Sequence, residues 1–384
     1  MDKQKLYQSV ENNADAILTL SDKVWELAEL SLKEYQTAEY YCTLMEKLGF
    51  TVERQVAGVA TAFSGSYGSG HPRIGILGEF DALDGLDQEG ATAERKRHSA
   101  TNTCGHGCGH NMLGAASLGA AIAVKEAIEA GELKGTVIFY GCPGEEGCAG
   151  KAFMAREGLF KDLDAALTWH PGNATKVTTG SNAASLQYIY SFKGLSAHAA
   201  GDPWDGRSAL DAAELMNVGA NFLREHIRPK ECLHYSFLDV GGLSPNVVQP
   251  TASVLYMIRG ENVTKAKALK KRVDGIAQGA ALMTGTTFTI EQVDGTASTL
   301  SNQVLEELLH KNMELAPLPQ YTPEEWALAK GIYETYPHEG LPGDEITLSN
   351  PAARAEIAQK SEEGKRVLND FVLPYVPGFS FSPG

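Results

Sequence analysis

Helices and strands alternate in the hydrophobic pattern of the first half of the chain. Apolar positions recur every three or four residues over residues 5–48, which predicts helices there. A stretch of small apolar residues from 111 to 130 predicts a buried helix. Strands are predicted at Thr51–Phe63, Arg73–Phe80, Thr136–Tyr140 and Ala165–Trp169. Strands that alternate with helices indicate an α/β domain, with a mixed sheet flanked by helices.

The pattern changes between residues 185 and 294, where six elements follow in the order β-α-β-β-α-β. This is the order of the ferredoxin-like α+β motif. Helical periodicity resumes after residue 300, so we expect the chain to return to the first domain. The sequence therefore predicts a catalytic domain made of residues 1–184 and 295–384, with an inserted lid or dimerisation domain at 185–294. The cleft between two such bodies is a common place for a ligand.

Composition and charge narrow the classes of function. The chain has 384 residues, of which 43% are hydrophobic and 21% charged, as in ordinary globular proteins. Its net charge of −15 argues against nucleic acid or an anionic membrane as a partner. No apolar run reaches the length of a membrane helix, about 18 residues. With six cysteines and no secretory pattern at the N-terminus, we expect a cytoplasmic protein.

The densest chemical feature is a Gly-rich loop at residues 103–111, which carries two cysteines and two histidines. Glycines remove side-chain bulk, so neighbouring ligands can converge on one ion. Cys108 and His110 are two residues apart and face the same way in an extended loop. We favour this pair as metal ligands because we expect Asn111 to cap the next helix and so fix both residues at a rigid junction.

Other interpretations of the loop remain open at this point. Cys104 and His106 repeat the spacing of the favoured pair. The loop is also compatible with a flexible segment that binds nothing, or with a structural zinc ion held by all four side chains. A further alternative is a redox or metal-storage loop built on Cys104 and Cys108.

Two adjacent carboxylates, Glu145 and Glu146, follow a buried strand and a Pro-Gly turn. Such a pair is usually a solvated loop, but adjacent side chains point in different directions, so one can bind a metal while the other holds a proton. Metal-activated hydrolysis requires that division. His170 ends another strand of the same sheet, and ligands of open α/β sheets gather at the carboxyl ends of the strands. We therefore expect His170 to be a ligand rather than a structural histidine.

The inserted domain carries three further polar candidates. His198 follows a predicted strand in the segment Gly194–Ala200, and Asn246 lies in the Gly-rich turn Gly241–Asn246. Arg259 closes a later strand. An arginine and an asparagine beside a cleft can bind a carboxylate through charge-assisted hydrogen bonds. A structurally bonded loop histidine and a surface salt bridge are the alternatives for His198 and Arg259.

Several segments together resemble the dinuclear metal amidohydrolases and peptidases, the family that includes aminoacylases and glutamate carboxypeptidases. They are GEFDALDGL (78–86), GHGCGHNMLGAA (105–116), PGEEG (143–147), TWHPG (168–172), GLSAHAA (194–200) and GGLSPNVVQP (241–250). They follow one another in the family's order. The resemblance implies metal ligation by Cys108, His110, Glu146 and His170, and a general base at Glu145.

The resemblance also implies roles for residues outside that set. His198 matches a histidine of the lid that stabilises the oxyanion in the active site of the partner protomer. Asn246 and Arg259 lie near positions that hold the substrate's carboxylate. Asp81 matches the aspartate of a residue pair that consists of His and Asp in other branches of the family. We therefore place Asp81 among the catalytic residues. Glu79, the first member of that pair, departs from the common form, so we do not count it as a ligand.

The expected reaction is hydrolysis of an amide bond in an N-acyl amino acid, such as p-aminobenzoyl-glutamate. Two divalent ions are expected as cofactors, zinc or manganese, with cobalt as a further option. The resemblance implies a homodimer or a heterodimer with a related subunit, and neither nucleic acid nor membrane as a partner.

One feature of the family has no counterpart in the sequence. The family's last metal ligand is a histidine near the C-terminus, whereas this sequence ends with Phe379–Gly384 and shows no matching segment. We therefore expect a shortened catalytic domain with one metal site lacking a ligand. The alternative function is a non-catalytic or truncated subunit that associates through the lid domain.

Overall fold

The computed structural model describes residues 2–337, 340–378 and 381–382. Its helices are α1 Lys3–Asn12, α2 Ala14–Leu27, α3 Tyr35–Lys47, α4 His110–Glu129, α5 Glu145–Cys148, α6 Gly150–Arg156, α7 Ala209–Arg224, α8 Val263–Thr284, α9 Gln303–Met313, α10 Pro323–Tyr333, α11 Glu345–Ser349 and α12 Pro351–Lys360. Its strands are β1 Thr51–Arg54, β2 Phe63–Ser69, β3 Arg73–Glu79, β4 Gly135–Cys142, β5 Ala165–Leu167, β6 Ser181–Asn182, β7 Ala184–Lys193, β8 Cys232–Asp239, β9 Thr251–Gly260, β10 Thr287–Thr296 and β11 Phe381–Ser382. None of the described helices has the length and apolar character needed to cross a bilayer.

The chain divides into two compact units. The first unit comprises Met1–Val177 and Val304–Val376, and the second comprises Thr178–Gln303 and Pro377–Gly384. The first unit contains a five-stranded mixed sheet of order β1-β2-β4-β3-β5, in which β3 runs parallel to β4 and β5. The second contains a four-stranded antiparallel sheet of order β10-β7-β9-β8. The predicted α/β class with a ferredoxin-like α+β domain is thereby confirmed.

The sheet of the first unit is covered on both faces, which explains why every residue of β4 is buried. On one face, aromatic side chains of α3 and the sheet pack together: the Tyr41 ring lies 5.5–5.8 Å from those of Phe63, Phe80 and Phe139. On the other face, Met154 of α6 joins a smaller buried cluster. Burial of rings of this size supplies much of the free energy that holds a core together.

In the second unit, alternate residues of β7 and β9 are buried. Their buried faces form one core with α7 and α8. The alternation is the period-2 pattern of strands with a single covered face. Helices on one side of an antiparallel sheet give this unit its α+β architecture.

The structure differs from two of the predicted elements where residues adopt left-handed backbone conformations. The predicted strand Thr51–Phe63 is a hairpin of β1 and β2, because Gln55 and Ala57 adopt left-handed backbone conformations with φ of 54° and 57°. In the region after residue 300, where helical periodicity is predicted, α12 ends at Lys360, and Glu362 and Glu363 just beyond it are left-handed as well. Such residues reverse or end an element whatever its hydrophobic pattern.

A glycine allows α4 to approach β3 closely. A Cβ atom at Gly114 would lie 2.3 Å from Tyr41 Oη and 2.7 Å from the backbone oxygen of Glu79. We expect Gly114→Ala to push α4 away from the sheet and to lower the free energy of unfolding by about 1–3 kcal/mol, the usual cost of overpacking. The shift of the urea midpoint measures this loss.

Gly275→Ala in α8 is the matched control, because its Cβ meets nothing within 4 Å. That substitution is expected to leave the urea midpoint unchanged or to raise it, since alanine favours helix. Equal midpoints for the Gly114 variant and the unmodified protein would contradict the predicted close approach.

Candidate metal centre

Polar side chains meet at one edge of the mixed sheet. Because β3, β4 and β5 are parallel neighbours, their carboxyl ends lie at the same edge, where open α/β sheets bind ligands. Asp81 follows β3, Glu145 and Glu146 follow β4, and His170 follows β5. His110 is the first residue of α4, which packs on β3. The topology thus gathers residues that are up to 89 positions apart in the chain.

The His110 ring is wholly buried and oriented by Asp81. Its Nδ1 lies 3.1 Å from both the side-chain Oδ1 and the backbone oxygen of Asp81, so an Nδ1–H donates there. Nε2 is then the atom that offers a lone pair, the usual arrangement in a metal-binding histidine. It faces Glu79 Oε2 at 3.1 Å and Glu145 Oε2 at 3.9 Å.

Cys108 and His170 lie beside His110. The Cys108 Sγ is 3.3 Å from His170 Nε2, while His170 Nδ1–H donates to the Pro171 carbonyl at 2.9 Å. The ligand atoms of Cys108, His110 and His170 all lie within 4.8 Å of one another. They can share one ion, because bonds from zinc to nitrogen or sulfur are about 2.0–2.3 Å.

A second group overlaps the first at His110. Glu79, His110 and Glu145 also place their ligand atoms within 4.8 Å of one another. Glu146 belongs to neither group, but its carboxylate lies within hydrogen-bonding reach of the neighbouring Cys108 thiol. Its backbone amide donates to Asp81 Oδ2 at 2.9 Å, which fixes the turn that carries both glutamates.

Three buried polar atoms of this cluster lack a hydrogen-bond partner within the described part of the chain: Glu79 Oε2, His110 Nε2 and Glu146 Oε1. Two of these atoms, His110 Nε2 and Glu79 Oε2, face each other at 3.1 Å, so they share either a proton or a cation. Glu146 Oε1 needs a partner of its own, because unsatisfied buried polar atoms are costly and rare. One imidazole nitrogen and two carboxylate oxygens, beside a thiol, are donors suited to a divalent ion such as zinc. The residues present therefore fit a metal.

The electrostatics of the cluster also favour a cation. Burial alone would lower the pKa of His110, but Asp81 and Glu79 outweigh it and raise that pKa to about 10. Burial alone would raise the pKa of Glu79, yet His110 and the ammonium of Lys151 bring it to about 2. Burial, followed by the charge of Glu146, raises the pKa of Cys108 to about 12. A thiolate at this position thus depends on a nearby cation.

A glycine, not an asparagine, precedes α4. Gly109 is the N-cap, with φ of 81°, and a Cβ there would lie 2.8 Å from Pro171 Cγ. The expected N-cap role of Asn111 is wrong, because the helix already begins at His110. The Asn111 amide instead donates to Ser21 Oγ at 3.1 Å. The tight left-handed turn at Gly109 places Cys108 beside His110 without an extended loop.

The other cysteine–histidine pair of the loop has different partners. His106 is buried, and its Nε2 donates to the Val24 carbonyl at 2.9 Å. The Cys104 thiol lies 4.0 Å from Asp84 Oδ1. Neither residue belongs to a candidate metal group among the described residues. This geometry gives no support to a four-residue zinc site.

The three candidates of the second unit lie in two places. The loops that carry His198 and Asn246 run side by side, joined by hydrogen bonds Ala199 N to Asn246 O at 3.0 Å and Val248 N to Ala197 O at 2.9 Å. Arg259 lies near the far end of β9. Eight residues of strand separate it from the start of β9, about 26 Å at the usual rise per residue. Within one chain, Asn246 and Arg259 are therefore not neighbours.

Sequence reasoning missed two members of the cluster. Glu79 is not among the predicted ligands, although its orphaned Oε2 faces His110. The Lys151 ammonium pairs with the other oxygen of Glu79, and no motif marks this lysine. The acid at the end of a buried strand was a signal for Glu79, whereas only the packing of α6 reveals Lys151.

This arrangement identifies a class of protein. A mixed α/β sheet with thiol, imidazole and carboxylate donors at the carboxyl ends of its strands can hold a catalytic metal ion, as a metal-dependent hydrolase requires. Residues 75–369 match the model of peptidase family M20/M25/M40, and the chain belongs to that family. The resemblance stated from the sequence motifs is thereby confirmed.

Curated relatives cover a range of similarity. One of the two p-aminobenzoyl-glutamate hydrolase subunits of Escherichia coli is 44% identical over 336 residues, which are 86% of this chain and 70% of that protein. A Xaa-Arg dipeptidase of Mus musculus is 27% identical over 75% of this chain and 65% of its own length. The other p-aminobenzoyl-glutamate hydrolase subunit of E. coli is 30% identical over 59% of this chain and 52% of its own length.

Solved structures share the fold. The aminobenzoyl-glutamate utilization protein of Klebsiella pneumoniae superposes with a TM-score of 0.61 at 18% identity, covering 86% of this chain and 90% of that protein. A dinuclear metal binding peptidase of Bacillus subtilis, from the M20 family, gives a TM-score of 0.52 at 19% identity over 81% and 80% of the two chains.

The two cysteines of the loop provide a direct test of the centre. A Co²⁺-loaded protein is expected to show a thiolate-to-metal absorption band that Cys108→Ser abolishes, because only Cys108 Sγ lies among the other candidate ligand atoms. Absorption spectra recorded during Co²⁺ titration measure the band.

Cys104→Ser is the matched control, because its thiol faces Asp84, and it is expected to retain the band in full. Loss of the band in the Cys104 variant, with retention in the Cys108 variant, would contradict the assigned centre.

Proposed function

We propose that this chain hydrolyses the amide bond of an N-acyl amino acid with a free carboxylate, such as p-aminobenzoyl-glutamate. The observation that carries the proposal is the buried donor cluster around His110 Nε2, with the Glu145 carboxylate 3.9 Å away. The names of the two E. coli relatives support this choice of substrate.

Cys108, His110, Glu146 and His170 would hold divalent ions, zinc or manganese, with cobalt as a further option. The resemblance to a dinuclear peptidase supports a pair of ions. A divalent ion at this position supplies Lewis acidity, which lowers the pKa of a water molecule and polarises a carbonyl. The orphaned atoms of His110 and Glu146 support their assignment as ligands.

Glu145 is the general base of the proposed reaction. Its side chain is 42% exposed, whereas His110 and Asp81 are inaccessible. A carboxylate beside the donor cluster that is still open to solvent can accept the proton of the attacking water and pass it to the departing amine. Asp81 contributes by holding the His110 ring and the Glu146 amide.

His198 is proposed to stabilise the oxyanion. Its Nδ1 accepts hydrogen bonds from the amides of Ala200 at 3.2 Å and Gly201 at 3.0 Å. The ring proton of the neutral form is therefore on Nε2, which can donate to a developing negative charge. As in the family that the sequence resembles, we assign this role to His198 of a neighbouring protomer.

Association and location form part of the same proposal. The second unit would mediate pairing with a second copy or with a related protein, and the two E. coli relatives, both named as subunits of one hydrolase, support such an assembly. We propose a cytoplasmic location, which is consistent with the five described cysteines that are all free thiols.

Glu145→Gln tests the general base. The variant is expected to bind as much metal as the unmodified protein and to lose about 10²- to 10⁴-fold in kcat, the usual contribution of general acid–base catalysis. Metal content and turnover of p-aminobenzoyl-glutamate are measured on the same samples.

Glu157→Gln, an exposed glutamate paired with Arg156, is the control and is expected to keep full activity. Unchanged kcat in the Glu145 variant would remove Glu145 as the base. An unmodified chain that binds at most one ion and hydrolyses no N-acyl amino acid would support the alternative of a non-catalytic subunit.

Arg259→Met tests recognition of the substrate carboxylate. The KM for p-aminobenzoyl-glutamate is expected to rise about 10- to 100-fold with little change in kcat, since a hydrogen bond to a charged group contributes about 1.5–3 kcal/mol. Steady-state kinetics with the free acid and with its α-amide measure the effect.

The α-amide should be a poor substrate for both proteins. Arg272→Met, whose guanidinium donates to the His226 carbonyl on the surface of α8, serves as the control and should leave KM unchanged. An equal KM for the acid in the Arg259 variant and the unmodified protein would remove Arg259 from the carboxylate site.

A further inference from the structure

The segment between α2 and α3 carries a wholly buried carboxylate, that of Glu34. Glu34 is 0% exposed, although a buried carboxylate is costly unless donors surround it. Its Oε1 accepts hydrogen bonds from the amides of Leu32 and Gly144, both at 2.9 Å. Its Oε2 accepts a hydrogen bond from the Thr61 hydroxyl at 2.8 Å. Three separate segments of the first unit thus meet at this one side chain.

The bond to Gly144 connects Glu34 with the turn of the paired glutamates. Gly144 is left-handed, with φ of 67°, and immediately precedes Glu145. Two residues later, the Glu146 amide donates to Asp81 Oδ2 at 2.9 Å. The buried carboxylates of Glu34 and Asp81 therefore accept hydrogen bonds from the backbone amides of the residues just before and just after Glu145.

The turn is also closely packed against its neighbours. A Cβ at Gly150 would lie 1.9 Å from the Pro143 backbone oxygen, and a Cβ at Gly147 would lie 2.8 Å from Ser31 Oγ. The Ser31 hydroxyl in turn donates to Asp81 Oδ2 at 2.7 Å. With its backbone held from three sides, the turn fixes the point and the direction in which the Glu145 side chain leaves the main chain.

We propose that Glu34 is a positioning residue for Glu145: it fixes the Gly144 amide and thereby the direction in which the general base projects. This inference rests on the proposed role of Glu145. Misplacement of a catalytic group by about 1 Å can reduce the rate about 100-fold. Binding of the ions is affected less, because Asp81 still holds Glu146 and the other candidate ligands lie on different segments.

Glu34→Met and Glu34→Gln separate hydrogen bonding from packing. Methionine fills similar volume but accepts no strong hydrogen bond, so kcat for p-aminobenzoyl-glutamate is expected to fall about 100-fold, with KM and metal content within about threefold. Glutamine keeps an oxygen for both amides and turns its NH₂ towards Thr61, so it should restore kcat to within about threefold. If the methionine variant does not fold, Glu34→Asp, which retains the charge but falls short of Gly144, is expected to show the same loss of kcat.

Hydrogen–deuterium exchange provides a readout that does not require activity. Amides of residues 144–147 are expected to exchange about 10- to 100-fold faster in Glu34→Met, since a hydrogen bond to a charged group is lost. Glu29→Met is the matched control. Glu29 accepts from the Thr37 amide at 2.8 Å and its hydroxyl at 2.9 Å, so this variant should speed exchange at the start of α3 and leave the turn and kcat unchanged.

Unchanged exchange at 144–147 in Glu34→Met, or faster exchange with unchanged kcat, would overturn the positioning role. A glutamine variant as slow as the methionine variant would overturn it as well, because charge and not hydrogen bonding would then be required. An unmodified protein without turnover would remove the proposed function alone, since the exchange rates would still decide whether Glu34 holds the turn.

Discussion

The candidate centre depends on one buried carboxylate, that of Asp81. Its Oδ1 receives the Nδ1–H of His110, and its Oδ2 receives the Ser31 hydroxyl and the Glu146 amide. A carboxylate removed from water is tolerated only when donors replace its hydration, and these three donors come from three separate segments. The orientation of the His110 ring, the loop before α3 and the turn after β4 are therefore coupled, so that none of them can shift without leaving a buried charge unsatisfied.

A surplus of negative charge surrounds the His110 ring. Glu79 and Glu145 face it, Glu146 lies beside the neighbouring Cys108, and the Lys151 ammonium pairs with Glu79. Like charges at this density repel strongly at low effective dielectric. A divalent ion would offset that repulsion and satisfy the orphaned atoms at the same time. The same physical argument accounts for the choice of donor residues and for the raised pKa of His110.

Much of the fold followed from periodicity. The order of elements between 185 and 294 was sufficient to predict the sheet that β7 to β10 form, because alternating burial and connection lengths leave few other arrangements. The break between α2 and α3 was not predicted, since residues 28–34 continue a helical pattern although Ala28 and Leu32 are left-handed. That break supplies Ser31 and Glu34, two side chains that hold the segments around the centre.

The sequence by itself determined which residue types were available, and its motifs marked Cys108, His110, Glu145 and His170 as candidates. These residues could be found because each lies in a short recognisable segment, either a glycine-rich loop or the end of a predicted strand. Only the tertiary structure decided that Glu79 faces His110, that Lys151 neutralises it and that Glu34 anchors the turn. Those contacts join positions up to 110 residues apart, and such pairings depend on how α3, α4 and α6 pack against the sheet, which no local pattern encodes.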